Sequence, residues 1–258
     1  MSVFLLFVCL VSGAAVGFLG GLLGNGGGLI AIPALMFLGM SQQLAQGTAL
    51  IMVLPAITLA VRKYNQRTQI DKGIALTGAA GAVSFTWLGA KLALGINSST
   101  LRLSYAFFLF LLASFYVLQG VNKKFVNKSS LIKPAPILTR LRAAILGMAS
   151  GMLGGFFGVG GALMIVPIIA SVFRFDHISA QALALAMIIP GSTIALITYS
   201  LAGQANWLVG IPLAIGSLIF VPLGVKQAYK LSENKLRACF ASLLLCMVLM
   251  LVIETCIL

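Results

Sequence analysis

The sequence predicts an all-α integral membrane protein made of two inverted repeats of four to five membrane helices each, with glycine-broken short or re-entrant helices near the midplane. The first observation behind this prediction is composition: 60% of the 258 residues are hydrophobic, 8% are charged and the mean hydropathy is +1.11. An ordinary soluble domain is about one quarter charged, so this much apolar surface requires lipid around it. Because apolar runs recur along nearly the whole chain, we expect one transmembrane domain over residues 1–258.

The second observation is an internal repeat, which appears when the chain is aligned with itself at an offset of 134 residues. A set of glycines and one proline near the start of each half then coincide: Gly17, Gly20, Gly21, Gly24, Gly26, Gly27 and Pro33 with Gly151, Gly154, Gly155, Gly158, Gly160, Gly161 and Pro167. After a one-residue insertion the offset becomes 135, and it pairs Gln46 with Gln181 and Tyr64 with Tyr199. The two halves therefore follow one structural plan.

Each half is predicted to contain the same succession of segments. Repeat one, residues 1–120, is predicted to have a helix over 3–23, a glycine break over 24–28, a short helix over 29–39, and helices over 46–62, 73–94 and 101–120. Repeat two, residues 140–258, is predicted to have helices over 141–157, 162–173, 178–200, 207–228 and 236–257, with a break over 158–161. A linker over 121–139 joins them. A full crossing takes about 20 residues, so the helix after each break is too short to cross.

The third observation is the distribution of the 17 basic residues, which distinguishes two ways of counting the short segments. If each break lies inside one crossing, the halves are parallel and the basic residues divide 10 to 7 between the two sides. If the chain turns back at each break, the halves are inverted, and only Lys91 and Arg102 lie opposite the other 15. Cytoplasmic loops carry an excess of Lys and Arg, so the sequence favours inverted repeats with a cytoplasmic linker and both termini outside.

The glycine breaks are the strongest candidates for a binding site. A run of glycines can leave helical geometry and expose backbone N–H groups, and the next helix begins there with unpaired donors and a partial positive charge. Matched breaks in two inverted halves point to a midplane site in secondary transporters. The competing interpretation is close helix packing, which we assign to Gly13, Gly17 and Gly21 at spacings of four.

Polar residues after the breaks complete the predicted substrate site. Its residues are Gly24, Asn25, Gly26, Gly27, Gly28, Gln46, Thr48, Gly158, Val159, Gly160, Gly161, Ala162, Gln181, Ser192 and Thr193. For Ser and Thr side chains, hydrogen bonding to their own helix is an alternative. Tyr64 and Tyr199 lie near predicted helix ends and are interpreted as anchors at the membrane interface.

The remaining polar residues argue against catalysis. Asp71, Asp176 and Glu233 fall in or near predicted loops, and no cluster has the spacing of metal ligands, so we predict no catalytic residue, no metal and no cofactor. The four cysteines lie in apolar stretches and are assigned to packing. The basic residues follow membrane topology, so nucleic acid is not expected as a partner.

At the glycine breaks the sequence resembles the TauE/SafE family of membrane proteins, described as sulfite or organosulfur-anion exporters. The resemblance rests on GLLGNGGGLIAIPAL at 21–35, GFFGVGGALMIVPII at 155–169, AQGTAL at 45–50, WLGAKLA at 87–93 and PLGVKQA at 222–228. It implies transport of small sulfur-containing anions such as sulfite, sulfoacetate or thiosulfate. The second half departs from the motif, with Ala162 in place of a third glycine and AQALAL in place of AQGTAL, which argues against equal contributions from the two halves.

The expected function is therefore secondary transport, as an exporter, of a small inorganic or organosulfur anion across a bacterial or archaeal plasma membrane. The alternatives are an anion channel, in which the same donors line a pore, and a membrane-embedded enzyme of unknown reaction. A coupling ion, proton or sodium, and a homo-oligomeric state stay open at this point. The residues alone lead only as far as a small anion.

Overall fold

The computed structural model describes residues 3–66, 68, 70–126, 138–231 and 233–257. These residues form helices and connecting turns, with no β-strand among them. The helices are α1 (Val3–Leu23), α2 (Gly28–Phe37), α3 (Gln42–Asn65), α4 (Lys72–Leu94), α5 (Ser98–Val126), α6 (Arg140–Phe157), α7 (Ala162–Val172), α8 (His177–Leu201), α9 (Trp207–Ala228) and α10 (Glu233–Ile257). Helices α1 to α5 belong to the first half of the chain and α6 to α10 to the second.

Side-chain caps explain where several of the long helices begin. The capping residues Ser41, Asp71, Thr139, Asp176 and Asn206 accept hydrogen bonds from backbone N–H groups in the first turns of α3, α4, α6, α8 and α9. Such caps satisfy donors that have no partner within the helix. The two short helices, α2 and α7, have no side-chain cap.

Glycines allow two pairs of helices to pack with their backbones almost in contact. In the first pair, α1 lies on α9, and a Cβ added at Gly17 would be 2.8 Å from Cβ of Ser217. In the second, α6 lies on α4, and a Cβ added at Gly151 would be 2.7 Å from Cα of Ala82. Helix association within a membrane depends on such close approach of small residues. The packing assigned to the outer glycines is confirmed.

The two halves interleave, and the most extensive contacts between helices recur when the halves are exchanged. Helix α1 packs on α9 as α6 packs on α4, while α3 packs on α9 as α8 packs on α4. Helix α2 packs on α3 and α10, and α7 packs correspondingly on α8 and α5. Helix α3 also packs on α8, its equivalent in the second half, and α5 packs on its own equivalent, α10. Helices α3 and α8 thus form the centre of the molecule.

The chain is a multi-pass membrane protein. Among the described residues, six helices are long and apolar enough to cross a bilayer: Leu6–Leu23, Gln42–Asn65, Lys72–Leu94, Ser98–Phe115, His177–Leu201 and Trp207–Ala228. Large apolar side chains cover the outer surface, including Phe107 at 62% exposed and Leu208 at 73%. In water such a surface would be costly, whereas lipid is a suitable solvent for it.

The all-α membrane fold with broken short helices is confirmed, and the helix bounds differ most from the predicted ones at two places. Helix α3 starts at Gln42, four residues before the predicted start, because Ser41 caps it. Helix α5 continues to Val126, into the predicted linker over 121–139. The part of that linker over 127–137 lies outside the described residues. The inverted orientation and the repeat bounds stay predictions.

Candidate functional site

The first glycine break begins where α1 ends. Gly24 has a left-handed backbone with φ of +66°, and the N–H of Asn25 donates to the carbonyl oxygen of Gly20 at 3.2 Å. This is the Schellman arrangement, which ends a helix and satisfies one of its last carbonyl groups. Gly26 and Gly27 are also left-handed, with φ of +70° and +85°. Side chains are strained in this region, so the sharp turn requires glycine.

The second break has the same backbone conformations. Gly158, Gly160 and Gly161 are left-handed, with φ of +70°, +75° and +76°, and α7 begins directly afterwards. The side chains of the two breaks differ, because Val159 stands where the first break has Asn25. The break of the second half therefore matches the first in shape but supplies one polar side chain fewer.

The two breaks touch each other in the centre of the molecule. A Cβ added at Gly28 would lie 3.4 Å from Cα of Val159 and 3.7 Å from the carbonyl oxygen of Gly158. The last residue of the first break therefore packs on the backbone of the second. A group bound between them would contact both halves of the chain at once.

Each break is covered by a glutamine from the other half. A Cβ added at Gly24 would lie 2.5 Å from Cγ of Gln181, which comes from α8. At the equivalent place in the second half, a Cβ added at Gly158 would lie 2.9 Å from Cγ of Gln46, which comes from α3. Both glutamines are fully buried. The structure thus brings the predicted glycines and glutamines together in one composite site.

Buried polar side chains at the breaks carry atoms that have no hydrogen-bond partner in the described part of the chain. These atoms are Nδ2 of Asn25, Nε2 of Gln46, Nε2 of Gln181 and Oγ of Ser192. None of the four residues is more than 2% exposed. The carbonyl oxygen Oδ1 of Asn25 accepts a hydrogen bond of 3.0 Å from the N–H of Gly27. Oγ of Ser192 would lie 3.2 Å from a Cβ added at Gly160.

The starts of the two short helices add backbone donors. The residues before them, Gly27 and Gly161, have no side chain that could accept from the first N–H groups of α2 and α7. The N-terminus of a helix also carries a partial positive charge of roughly half a unit. The start of α2 lies beside the second break, because a Cβ added at Gly28 would be 3.4 Å from Cα of Val159.

The unpartnered donors favour a ligand that carries hydrogen-bond acceptors. A buried donor left without a partner costs about 1–3 kcal/mol, and three of the four unpartnered side-chain atoms are amide nitrogens, which only donate. Helix N-termini with free N–H groups bind anions readily. A small anion, which offers several acceptor atoms, would satisfy donors from both halves.

Two of the predicted polar residues have other roles. Oγ1 of Thr48 accepts a hydrogen bond of 3.0 Å from the N–H of Asn206, so Thr48 holds the turn before α9. Oγ1 of Thr193 donates to the carbonyl oxygen of Ile189 in its own helix at 3.0 Å. Neither hydroxyl is among the unpartnered buried atoms. The Thr193 hydroxyl therefore donates within its own helix, and the Thr48 oxygen is an acceptor for the turn before α9.

Tyr64 and Tyr199, which were predicted as anchors at the membrane interface, contact the two glutamines of the candidate site. The hydroxyl of Tyr64 lies 2.9 Å from Oε1 of Gln181, and that of Tyr199 lies 2.7 Å from Oε1 of Gln46. Both tyrosines are fully buried, so the prediction of interface anchors is wrong. Their pairing at the offset of the two glutamines, 135 residues, was the signal that could have linked them.

Asp71 and Asp176 lie at helix starts and not at the breaks. Asp71 caps α4 by accepting from the N–H groups of Gly73 and Ile74, and Asp176 caps α8. Lys91, on the outer surface, has its amine 5.7 Å from the ring centroid of Trp87. No group of three metal-binding side chains occurs within the described ranges.

Comparison with known proteins gives a family match over most of the chain. The sequence profile of the family described as sulfite exporter TauE/SafE matches residues 9–251. The chain is 27% identical to the probable membrane transporter protein YunE of Bacillus subtilis (strain 168), over 84% of this chain and 86% of that protein. Probable membrane transporter proteins of Xylella fastidiosa (strain Temecula1) and Methanocaldococcus jannaschii are each 26% identical, covering 91% and 93% of this chain and 89% and 92% of theirs. No solved structure matches the chain.

Proposed function

This chain belongs to the sulfite exporter TauE/SafE family, and from that premise we propose that it is a secondary transporter that exports small sulfur-containing anions such as sulfite, sulfoacetate or thiosulfate. We place the substrate between the two glycine breaks, held by backbone N–H groups and by the amides of both halves. We also assign the protein to the plasma membrane, with the linker in the cytoplasm and the termini outside.

The proposal depends chiefly on the unpartnered donors at the point where the two halves meet. The amide nitrogens of Asn25, Gln46 and Gln181 lack hydrogen-bond partners among the described residues, and α2 and α7 begin without a side-chain cap. Leaving this many donors bare within a membrane would be costly, and an oxyanion supplies the missing acceptors. The family match supports a sulfur oxyanion as the ligand of this site.

The same arrangement supports alternating access. Each half contributes one break and one glutamine, so a substrate between them contacts two bodies related by the internal repeat. Rocking one repeat against the other would expose such a site first to one side of the membrane and then to the other. The contacts of the bound anion with both halves would couple its binding to that motion.

The experiment is counterflow of ³⁵S-labelled sulfite and thiosulfate in proteoliposomes containing the purified full-length protein. Wild type should exchange labelled for unlabelled anion with saturable kinetics. We expect Gln46→Met and Gln181→Met each to raise the substrate concentration for half-maximal exchange by about tenfold, since methionine keeps the length and bulk of the side chain but removes a donor to a charged ligand.

Gln43→Met is the matched control on the same helix. Nε2 of Gln43 donates to the carbonyl oxygen of Ile96 at 2.7 Å and lies outside the candidate site, so its loss should lower stability but leave the exchange kinetics near those of wild type. Absence of any exchange by a correctly folded wild type would refute the proposed function. Flux that neither saturates nor shows counterflow would instead identify an anion channel.

A further inference from the structure

Each site glutamine is held by a tyrosine that lies in the opposite half of the chain. The Tyr64 hydroxyl lies 2.9 Å from Oε1 of Gln181 and 2.8 Å from the carbonyl oxygen of Gly21. The same arrangement recurs in the second half, where Tyr199 lies 2.7 Å from Oε1 of Gln46 and 3.0 Å from the carbonyl oxygen of Gly155. All these contacts are buried, so water does not compete for them.

A tyrosine hydroxyl has one proton, and here two acceptors lie within its reach. When the proton goes to Oε1 of the glutamine, the amide nitrogen of that side chain faces the other way, and this nitrogen has no partner in the described structure. When the proton goes to the helix carbonyl, the hydroxyl oxygen can instead accept from the glutamine nitrogen, which would turn Oε1 outward. The tyrosine proton therefore decides whether the glutamine offers a donor or an acceptor.

We propose that Tyr64 and Tyr199 are positioning residues that hold the amide nitrogens of Gln181 and Gln46 toward the anion. This inference rests on the proposed function of the same site. The bond from the hydroxyl to Oε1 makes both glutamines donors, so an anion meets donors from each half. An oxyanion with only acceptor atoms fits this arrangement, whereas an acceptor-outward glutamine would repel it.

A purely structural role for the tyrosines has a different signature. The carbonyl groups of Gly21 and Gly155 lie in the last turns of α1 and α6, where carbonyl groups lose their helical partners, and a tyrosine hydroxyl satisfies each of them. Such a cap would stabilise the helix ends whatever the glutamine does. A positioning role requires that the effect of each tyrosine on binding disappear when its glutamine is replaced.

The test is a double-mutant cycle on the affinity for ³⁵S-thiosulfate and ³⁵S-sulfite, measured by equilibrium binding to the purified protein. The cycle uses Tyr64→Phe, Gln181→Met and the double variant. We expect Tyr64→Phe to raise Kd by about fivefold, the usual effect of losing one hydrogen bond. In the Gln181→Met background the same substitution should leave Kd unchanged, because the group that it positions is gone.

The control cycle combines Tyr64→Phe with Gln46→Met, which belongs to the other pair. Here the two changes in Kd should multiply, because Tyr64 does not contact Gln46. Tyr199→Phe with Gln46→Met provides an independent copy of the first cycle, so failure of one variant to fold leaves the question decidable. Thermal unfolding in detergent measures the capping role separately in every variant.

The inference would be wrong if the changes in Kd multiplied in both matched pairs, Tyr64 with Gln181 and Tyr199 with Gln46. The tyrosines would then only cap helices. The proposed function would survive that result, provided that wild type binds the anions and the glutamine variants bind them weakly. If wild type binds neither anion, the proposed function fails and this inference fails with it.

Discussion

Gly24 and Gly203 have nearly the same backbone conformation but very different surroundings. Their φ angles are +66° and +69°. No atom lies within 4 Å of a Cβ added at Gly203, whereas one added at Gly24 would lie 2.5 Å from the side chain of Gln181. Substitutions at these two glycines therefore distinguish two effects of an added side chain. Both positions carry the backbone strain of a positive φ, and only Gly24 lies against the candidate site.

We expect Gly203→Ala to lower the free energy of unfolding by about 1–2 kcal/mol, the cost of a left-handed alanine, and to leave anion affinity unchanged. Gly24→Ala should lower stability further and raise Kd for thiosulfate by about tenfold, because it displaces Gln181. Thermal unfolding in detergent and equilibrium binding check the two effects. Equal affinities in the two variants would argue against Gln181 as a ligand of the anion.

Single residues also show where sequence analysis stops being informative. The repeat register singles out Gln46 and Gln181 as candidates, because an amide that recurs at equivalent positions of both halves stands out among apolar residues. Ser192 and Thr193 are neighbours, but successive helical residues point about 100° apart, so one meets a glycine break and the other its own helix. Without helix orientations, both were equally good candidates. For Tyr64 and Tyr199, a position near a helix end does not show whether the side chain faces lipid or the other helices.

At the scale of helices, the packing of α1 on α9 requires small residues on α1. A Cβ added at Gly17 would lie 2.5 Å from Cα of Ser217, which is backbone and cannot move aside as a side-chain tip could. At Gly95, just after α4, an added Cβ would have only ordinary contacts, at 3.6 Å and beyond. These two glycines test how much helix association depends on close approach.

We expect Gly17→Ile to separate α1 from α9 and to lower the free energy of unfolding by about 3 kcal/mol or more, at the upper end of the usual cost of overpacking. Gly95→Ala, on an exposed turn, should change it by less than about 0.5 kcal/mol. Thermal unfolding in detergent and the yield of monodisperse protein measure both. An unchanged melting temperature for Gly17→Ile would contradict the close packing of these helices.

Helix bounds were predictable to the extent that the hydrophobic runs mark them. The segments 3–23 and 207–228 coincide with α1 and α9, because polar or glycine-rich turns limit the apolar runs there. The start of α3 was missed because its first turn, with Gln42 and Gln43, is polar, although both side chains are buried. Amide side chains buried by other helices look like loop residues in a sequence.

At the scale of the whole molecule, inverted and parallel repeats differ in the side of the membrane on which equivalent positions of the two halves lie. Gln66 directly follows the first half's central helix, α3, and Leu201, the equivalent residue at an offset of 135, is the last residue of α8. Both residues are exposed. Inverted repeats place these two positions on opposite sides of the membrane, and parallel repeats place them on the same side.

We predict that Leu201→Cys reacts with a membrane-impermeant maleimide in intact cells, whereas Gln66→Cys reacts only after permeabilisation, because basic residues near Gln66 favour the cytoplasm. The four native cysteines are first replaced by serine or alanine. Labelling is measured as a mass or gel-mobility shift of the purified protein. Reaction of both cysteines under the same condition would show parallel halves.

The sequence predicted two similar halves but not how they interleave. A repeat register shows that α1 resembles α6, and it carries no information on whether α1 packs within its own half or on the other. Helices α1 and α9 lie close together because the glycines on one helix pack against the backbone of the other. Two separate five-helix bundles would have shown the same periodicity.

The interleaved packing also has a consequence for biosynthesis. Helix α1 is complete at Leu23, but its partner α9 begins only at Trp207. At a translation rate of about 5–20 residues per second, the first helix waits roughly 10 to 40 seconds for that partner to leave the ribosome. During this interval its glycine face must be shielded by lipid or by the insertion machinery. Ribosomes that stall before Trp207 would therefore leave a membrane-inserted intermediate for proteases that survey the bilayer.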